Sequence, residues 1–161
     1  WFGKICYDKK QERINVEAYA FRCQEIADFG KNGGSSMTTR EAVLAYCLTF
    51  PNVYQDAPFH DDNWQLVRYK KNKKTFALVY EREGSIWVNV KVAPEWRDFW
   101  RQTYEAVIPG WHQNKEHWNT IILDGSVPEN DIKRMIAESY DLIVGKTARK
   151  TVRKTKKNVQ D

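Results

Sequence analysis

Three consecutive segments of alternating apolar and polar residues, separated by short turns, constrain the fold of this chain most. They cover residues 64–69, 75–81 and 85–92. A period of two residues is typical of β-strands with one covered face. The residues expected on a common side of each strand are Trp64, Leu66 and Arg68; Phe76, Leu78 and Tyr80; and Ile86, Val88, Val90 and Val92. Because the connections are short, the three strands are predicted to form an antiparallel meander.

Helical patterns and two further strand patterns surround the meander. A first helix is expected to start at Thr38 or Thr39 and to stop before Pro51. Pro94 fits the first position of a second helix. Ser126 and Glu129 have the spacing of a capping box at the start of a third helix. The residues expected on the buried sides of these helices are Val43, Leu44, Cys47 and Leu48; Trp96, Phe99, Trp100, Thr103 and Tyr104; and Ile132, Met135, Ile136, Ser139, Tyr140 and Ile143. With an edge strand at 54–59 and a buried strand at 120–123, the order predicts an α+β fold, a largely antiparallel sheet with helices packed on one face.

Charge and turn composition divide the 161 residues into three parts. Residues 1–36 hold a strand pattern at 1–7, a helical pattern at 15–29 and a Gly/Ser linker at 31–36. Because the chain starts without methionine and Met37 suits the start of a core domain, residues 1–36 are expected to belong to a larger polypeptide or an appended element, and are a candidate surface for a protein partner. Residues 37–144 form the predicted core domain, and residues 145–161 form a basic tail.

The basic character of the chain is concentrated in that tail. Residues 145–161 contain seven Lys and Arg and one Asp, a formal charge of +6, so residues 1–144 sum to −1. The chain contains no run of about 18 apolar residues and no charged-then-apolar leader. Cys6, Cys23 and Cys47 form no CxxC pair and are expected to be reduced thiols. The protein is therefore predicted to be cytoplasmic, without membrane contact.

Two basic elements are candidates for contact with nucleic acid. The first is the turn between the first two strands of the meander, with Arg68, Lys70, Lys71, Lys73 and Lys74. A basic hairpin tip can lie against phosphates or enter a groove as a wing, although Lys and Asn are also ordinary residues of solvated turns. The second is the tail, where cations recur every three or four residues and include Arg149, Lys150, Arg153 and Lys154. As a helix it would present a cationic stripe, and without structure it would be a basic arm.

The run PGWHQNKEHWNTIILDG, residues 109–125, has the most unusual composition in the chain. Asn114 suits the N-cap of a single turn at residues 115–118. A polar-ligand pocket can then be formed by His112, Asn114, Lys115, His117 and Trp118, with the amides of that turn facing an anion. The alternative is that these histidine and tryptophan side chains are core and hinge groups whose polar atoms are satisfied within the fold.

No catalytic constellation is recognisable in the sequence. G-x-S-x-G, P-loop and H-E-x-x-H motifs are absent. A metal site from His60, Asp61, Asp62 and His112 is conceivable, but the spacing of these residues specifies none. The sequence therefore predicts a protein that is not an enzyme and needs no cofactor or metal. The weaker alternative is an unrecognised enzyme that uses His112 or His117 as an acid or base.

The segment PGWHQNKEHWNTIILDGSVPENDIKRMIAESYDLI resembles the MmcQ/YjbR family of small bacterial proteins. Pro51-Asn52, the run 74–78 and Pro94-Glu95 fit the same family pattern, so that the resemblance covers roughly residues 37–144. It implies a CyaY-like α+β fold and a DNA-binding function with a double-wing character. The preferred hypothesis is a small DNA-binding protein that contacts the phosphate backbone through the basic hairpin, with weak sequence preference. The alternative is a protein-interaction or small-ligand module that uses the pocket around PGWHQNKEHW.

Overall fold

The computed structural model describes the backbone of residues 36–157 and the side chains of residues 36–145. The patterns predicted for residues 1–7 and 15–29, together with Cys6 and Cys23, lie outside this part. The elements in chain order are α1 (Arg40–Leu48), β1 (Val53–Asp56), β2 (Gln65–Tyr69), β3 (Thr75–Arg82), β4 (Ser85–Lys91), α2 (Pro94–Thr103), β5 (Val107–Pro109), β6 (Trp118–Ile122) and α3 (Glu129–Lys157). Within the described residues, no helix is long and apolar enough to span a membrane.

The six strands form one sheet in the order β1-β2-β3-β4-β6-β5, and every neighbouring pair is antiparallel. The predicted α+β class and the meander of β2, β3 and β4 are confirmed. The expected edge strand is β1, which is shorter than predicted because it ends at Asp56. β5 was not predicted. It has only three residues, and Pro109 at its end cannot donate to a ladder, so it leaves almost no periodic signal.

A β-bulge between β2 and β3 changes which side chains share a face. Arg68 pairs with Thr75 and Val67 pairs with Ala77, so Phe76 is an extra residue without a partner in the ladder. Phe76 therefore packs in the core beneath the helices, whereas Leu78 belongs to a second cluster. The prediction that Phe76 shares a face with Leu78 and Tyr80 was wrong for Phe76, because a bulge is invisible to a strict period of two.

Thr39, rather than Thr38, is the N-cap of helix α1, whose first residue is Arg40. The Thr39 hydroxyl accepts a hydrogen bond from the amide of Ala42 at 3.2 Å, which satisfies one of the free amides of the first turn. Val43 and Cys47 are fully buried, as predicted. The prediction was wrong for Leu48, which is 44% exposed in the last residue of the helix. Burial raises the pKa of the Cys47 thiol, so this cysteine is a packing group in its apolar surroundings.

The other two helices follow their sequence signals in different degrees. Pro94 is the first residue of α2 and Trp100 is buried, but Phe99 is 48% exposed and Thr103 is also exposed. The stripe predicted for α2 is thus narrower than expected. Helix α3 buries all six residues predicted for it, and it continues past Gly145 to Lys157. Ser126 is not its N-cap, because the helix begins only at Glu129; the Ser126 hydroxyl instead donates to Asp124 at 2.6 Å.

Apolar side chains cover both faces of the sheet. The larger core lies between the sheet and the helices, with Val67, Val88 and Ile136 among its fully buried members. The predicted inner face of β4, from Ile86 to Val92, is confirmed. On the opposite face a second cluster contains the buried residues Leu66, Leu78, Tyr80 and Trp87, with Trp64, Ile108, Trp111 and Ile122 packed against them. Among the described residues, side chains and loops rather than a helix cover this second face.

Candidate nucleic-acid interface

The turn between β2 and β3 is a compact structure held by its own backbone. The amide of Lys73 donates to the Tyr69 carbonyl at 2.8 Å, and the amide of Tyr69 donates to the Lys74 carbonyl at 3.0 Å. The Asn72 side chain accepts from the amide of Lys74 at 3.0 Å. Lys73 has a φ of 56°, the left-handed conformation that a turn of this kind requires of one residue. We call residues 70–74 the lysine turn.

Two contacts attach the lysine turn to the rest of the domain. Asn72 Nδ2 donates to the carbonyl oxygen of Ile143 in α3 at 3.3 Å, across 71 residues of sequence. On the other side, the amide of Lys70 donates to the carbonyl of Asn52 at 2.8 Å. The turn is therefore connected to the last helix and to the end of the α1–β1 connection, which limits its freedom relative to the sheet.

Four of the five predicted cations of the hairpin have exposed side chains, and these are Lys70, Lys71, Lys73 and Lys74. Among the residues that the structure describes, none of these four takes part in an ion pair. Arg68 differs. Its Nε lies 2.7 Å from Asp56 Oδ2, and its Nη1 donates to the Lys73 carbonyl at 3.1 Å. Arg68 is thus a structural support of the turn, whereas the four lysines present their charges to solvent.

The predicted basic tail is the continuation of α3. The helical backbone runs through the positions of Arg149, Lys150, Arg153 and Lys154 and ends at Lys157. Ile143, which accepts the hydrogen bond from Asn72, lies six residues before Arg149. The lysine turn therefore touches α3 close to the point where the cation-rich part of that helix begins.

The loop between β5 and β6 contains the most unusual residues of the sequence, and its backbone is tightly closed. The amide of Gly110 donates to the Trp118 carbonyl at 3.0 Å. A Cβ atom on Gly110 would lie 2.7 Å from Trp118 Cβ, so only glycine fits this close approach. Asn114 forms the next turn, because its side chain accepts from the amide of Glu116 at 2.8 Å and its carbonyl accepts from the amide of His117 at 3.1 Å.

Helix α2 holds this loop through two arginines. Arg101 Nη2 donates to the carbonyls of Lys115 and Trp118, at 2.6 and 3.2 Å, and Arg101 Nε donates to Asn119 Oδ1 at 2.8 Å. Asn119 is fully buried, which makes this a charge-assisted bond shielded from water. Arg97 forms ion pairs with Asp98 and Glu116, and its hydrogen bonds hold the pKa of the Asp98 carboxyl below its ordinary value.

The β5–β6 loop places the five residues predicted for a pocket at or near its surface. His112, Asn114, Lys115 and His117 are all exposed, and Trp118 is half-buried beneath Lys91, whose Nζ lies 5.2 Å from the indole centroid. The amides of Glu116 and His117 are bonded to Asn114, so they are not directed toward an anion. Within residues 36–145, no three side chains of His, Cys, Asp or Glu converge as metal ligands.

A buried polar network that sequence reasoning missed lies under this loop. Asn89 Oδ1 accepts from the hydroxyls of Tyr80 at 3.2 Å and Thr120 at 2.6 Å, while Asn89 Nδ2 donates to the Trp111 carbonyl at 2.8 Å. The Trp111 amide in turn donates to Thr120 Oγ1 at 2.8 Å. Burial raises the pKa of Tyr80 to about 12. An Asn within the otherwise apolar run of β4 was the available signal.

The fold and the basic turn define a class: a small α+β domain with one six-stranded antiparallel sheet and an exposed cationic hairpin tip. The family model YjbR matches residues 48–142, and the chain belongs to the YjbR family. It is 37% identical over 108 residues to YjbR of Escherichia coli K12, covering 67% of this chain and 88% of that protein. It is 31% identical over 117 residues to YyaQ of Bacillus subtilis, covering 66% and 98%. The crystal structure of Deinococcus radiodurans DR2400, a DUF419 domain, superposes with a TM-score of 0.62 at 29% identity, covering 68% of this chain and 81% of that one.

Proposed function

We propose that the protein binds the phosphate backbone of duplex DNA through the lysine turn and the cation-rich end of α3. The observation that carries this proposal is the exposure of Lys70, Lys71, Lys73 and Lys74 on a turn whose backbone is already ordered. A turn fixed before binding loses little backbone entropy when it meets the phosphates. Ammonium groups act on phosphates as point charges, so the binding is expected to show weak sequence preference.

The proximity of the two basic elements supports a single interface. Asn72 bonds to Ile143, and from that residue the helix continues for 14 residues to Lys157. At about 1.5 Å per residue this length is about 21 Å. Since successive phosphates on one strand are about 3.4 Å apart along the duplex axis, an interface of that length spans about six base pairs.

The near-neutral charge of residues 1–144 limits where DNA can bind. Attraction of phosphates by the net charge of that part is negligible, because its formal charge is −1. Binding must therefore depend on where the cations are grouped, and the lysine turn places four of them within five consecutive residues. Removing two of these charges should have a large effect, whereas removing a dispersed cation should have a small one.

The test is fluorescence anisotropy of a labelled duplex across a salt series with the full-length protein. Four phosphate contacts predict a slope of log K against log salt of about −3.6, and the cations of α3 steepen it further. In the double variant Lys71→Glu/Lys73→Glu, the slope of log K against log salt is expected to be less negative by about two. Lys115→Glu is the matched control, because it reverses one exposed lysine in the β5–β6 loop.

A second variant separates the turn from the helix. Neutralising Arg149, Lys150, Arg153 and Lys154 with glutamine should reduce the slope by about 3.6 while leaving the contribution of the turn. Equal slopes for the wild type and the Lys71→Glu/Lys73→Glu variant would exclude the turn and reduce the proposal to a basic helix end. If the wild type itself shows no duplex binding at low salt, the proposal is wrong.

A further inference from the structure

On the face of the sheet where residues 36–157 place no helix, aromatic rings form a continuous row. Trp64 stacks on Tyr80 with ring centroids 4.4 Å apart, Tyr80 meets Trp87 at 6.2 Å, and Trp87 meets Trp111 at 6.1 Å. Tyr80 and Trp87 are buried, while Trp64 and Trp111 are half-buried and form the outer layer. Phe59, at the Trp64 end of the row, is 55% exposed. The solvent-facing part of the row therefore consists of Trp64, Trp111 and Phe59, while Tyr80 and Trp87 belong to the packed second cluster.

Two cations lie on the rings at the other end of the row. Arg82 Cζ is 3.9 Å from the centroid of the Trp111 ring and 5.3 Å from that of Trp87. Lys91 Nζ is 5.2 Å from the ring of Trp118. Cross-strand pairing places Trp87 opposite Ile122 and Lys91 opposite Trp118, so these residues belong to the same face. We call Arg82, Trp87, Lys91, Trp111 and Trp118 the tryptophan patch.

Donors without acceptors add a second, independent observation. Within the part of the chain that the structure describes, the buried Nε of Arg82 and the buried indole Nε1 of Trp87 have no hydrogen-bond acceptor. A buried donor left unpaired costs about 1–3 kcal/mol, so such groups usually have a partner in the functional state. A ligand that supplies acceptor oxygens beside the rings would pair both.

We infer that the tryptophan patch binds the unpaired bases of single-stranded nucleic acid. Bases stack on indole rings, the guanidinium of Arg82 and the ammonium of Lys91 attract the phosphates, and base carbonyl or phosphate oxygens are the missing acceptors. This inference goes beyond the proposed binding of duplex DNA, because it uses a different face of the sheet and a different form of the ligand. Either surface can be present without the other.

Charge distinguishes this ligand from a proline-rich peptide, which also binds aromatic grooves. The patch end of the row carries Arg82 and Lys91, with Arg82 Nη2 paired to Glu83 at 2.8 Å. The acids Asp61 and Asp62, in contrast, lie in the loop that bears Phe59 and form no ion pair with the basic residues that the structure describes. A polyanion is therefore expected over Trp111 and Trp118 and not over Phe59. A basic, proline-rich peptide would prefer the Phe59 end.

The experiment measures anisotropy of a fluorescein-labelled oligothymidylate of about twelve nucleotides, a length within the range of single-strand site sizes. Full-length wild type is compared with Trp111→Leu, which removes a stacking surface, and Arg82→Gln, which keeps a polar side chain and removes the charge. Each variant is expected to weaken oligothymidylate binding about tenfold and to leave duplex binding within about twofold. Phe59→Leu is the matched control and should bind oligothymidylate like the wild type.

The outcomes separate this inference from the proposed duplex binding. Circular dichroism and thermal unfolding first establish that the variants are folded. If Trp111→Leu does not fold, Arg82→Gln remains informative, because the Arg82 side chain is 36% exposed and its replacement is expected to disturb the fold less. Unchanged oligothymidylate affinity in Arg82→Gln overturns the inference, as does an equal loss in Phe59→Leu. Binding of a basic proline-rich peptide without binding of oligothymidylate would assign the face to a protein partner. Loss of duplex binding alone, in the Lys71→Glu/Lys73→Glu variant, leaves the tryptophan patch supported.

Discussion

Replacement of Asn89 by alanine is the sharpest test of the buried network beneath the β5–β6 loop. Asn89 is fully buried, and its side chain makes three hydrogen bonds, to the Tyr80 and Thr120 hydroxyls and the Trp111 carbonyl. Each bond contributes about 1 kcal/mol net, and the partners left behind have no water to replace it. The variant is therefore expected to lose about 3 kcal/mol of unfolding free energy, or slightly more with the cavity.

Urea denaturation followed by circular dichroism measures this loss, with the slope of free energy against urea checked for constancy. Asn114→Ala is the matched control, because Asn114 is exposed and its bonds are within a surface turn. It is expected to cost about 1 kcal/mol or less. A loss below about 1 kcal/mol for Asn89→Ala would show that the network is not closed around Asn89, and the reasoning about Trp111 would be refuted.

Two further predictions concern one glycine and one tyrosine. Gly110→Ala places a Cβ 2.7 Å from Trp118 Cβ and is expected to destabilise the protein by about 1–3 kcal/mol, measured by thermal unfolding. The control is Gly145→Ala, where nothing lies within 4 Å of the added Cβ, and it is expected to be neutral or stabilising. Equal effects of the two substitutions would contradict the close approach at Gly110. Burial raises the pKa of Tyr80 from 10.0 to about 12, so the folded state keeps a proton that the unfolded state loses. The unfolding free energy is therefore expected to fall as pH rises from about 10 to about 12. Tyr80→Phe should show a shallower fall over that window, and an unchanged slope would count against the burial argument.

The elements with strong local patterns were predictable, and the deviations arise from pairing. The inner faces of α3 and β4 follow periods of 3.6 and 2 without interruption, so every predicted residue is buried in α3. The face of Phe76 was mispredicted because the bulge is decided jointly by β2 and β3. Leu48 was expected inside, yet at the last position of α1 it is 44% exposed. These outcomes depend on contacts between distant segments, which a single segment does not encode.

The candidate sites show the same division between local and distant information. The sequence alone indicated the cations of the lysine turn, because their identity and their place between two strands are local properties. It could not indicate that Asn72 bonds to Ile143, or that Arg68 pairs with Asp56. In the β5–β6 loop, residue types typical of a ligand pocket proved to form turns and to meet Arg101, a partner outside the segment considered.

The two proposed surfaces depend on different buried supports, so they can be perturbed separately. Trp111 is positioned through its backbone, by the bonds to Asn89 and Thr120, whereas the lysine turn is positioned through Asn72 and α3. No member of one set of bonds belongs to the other. Mild loosening of the Asn89 network should therefore weaken contacts at Trp111 before it affects the turn, since sites without shared partners respond nearly independently. A joint loss of both at equal stability would instead mean that the sheet transmits the change.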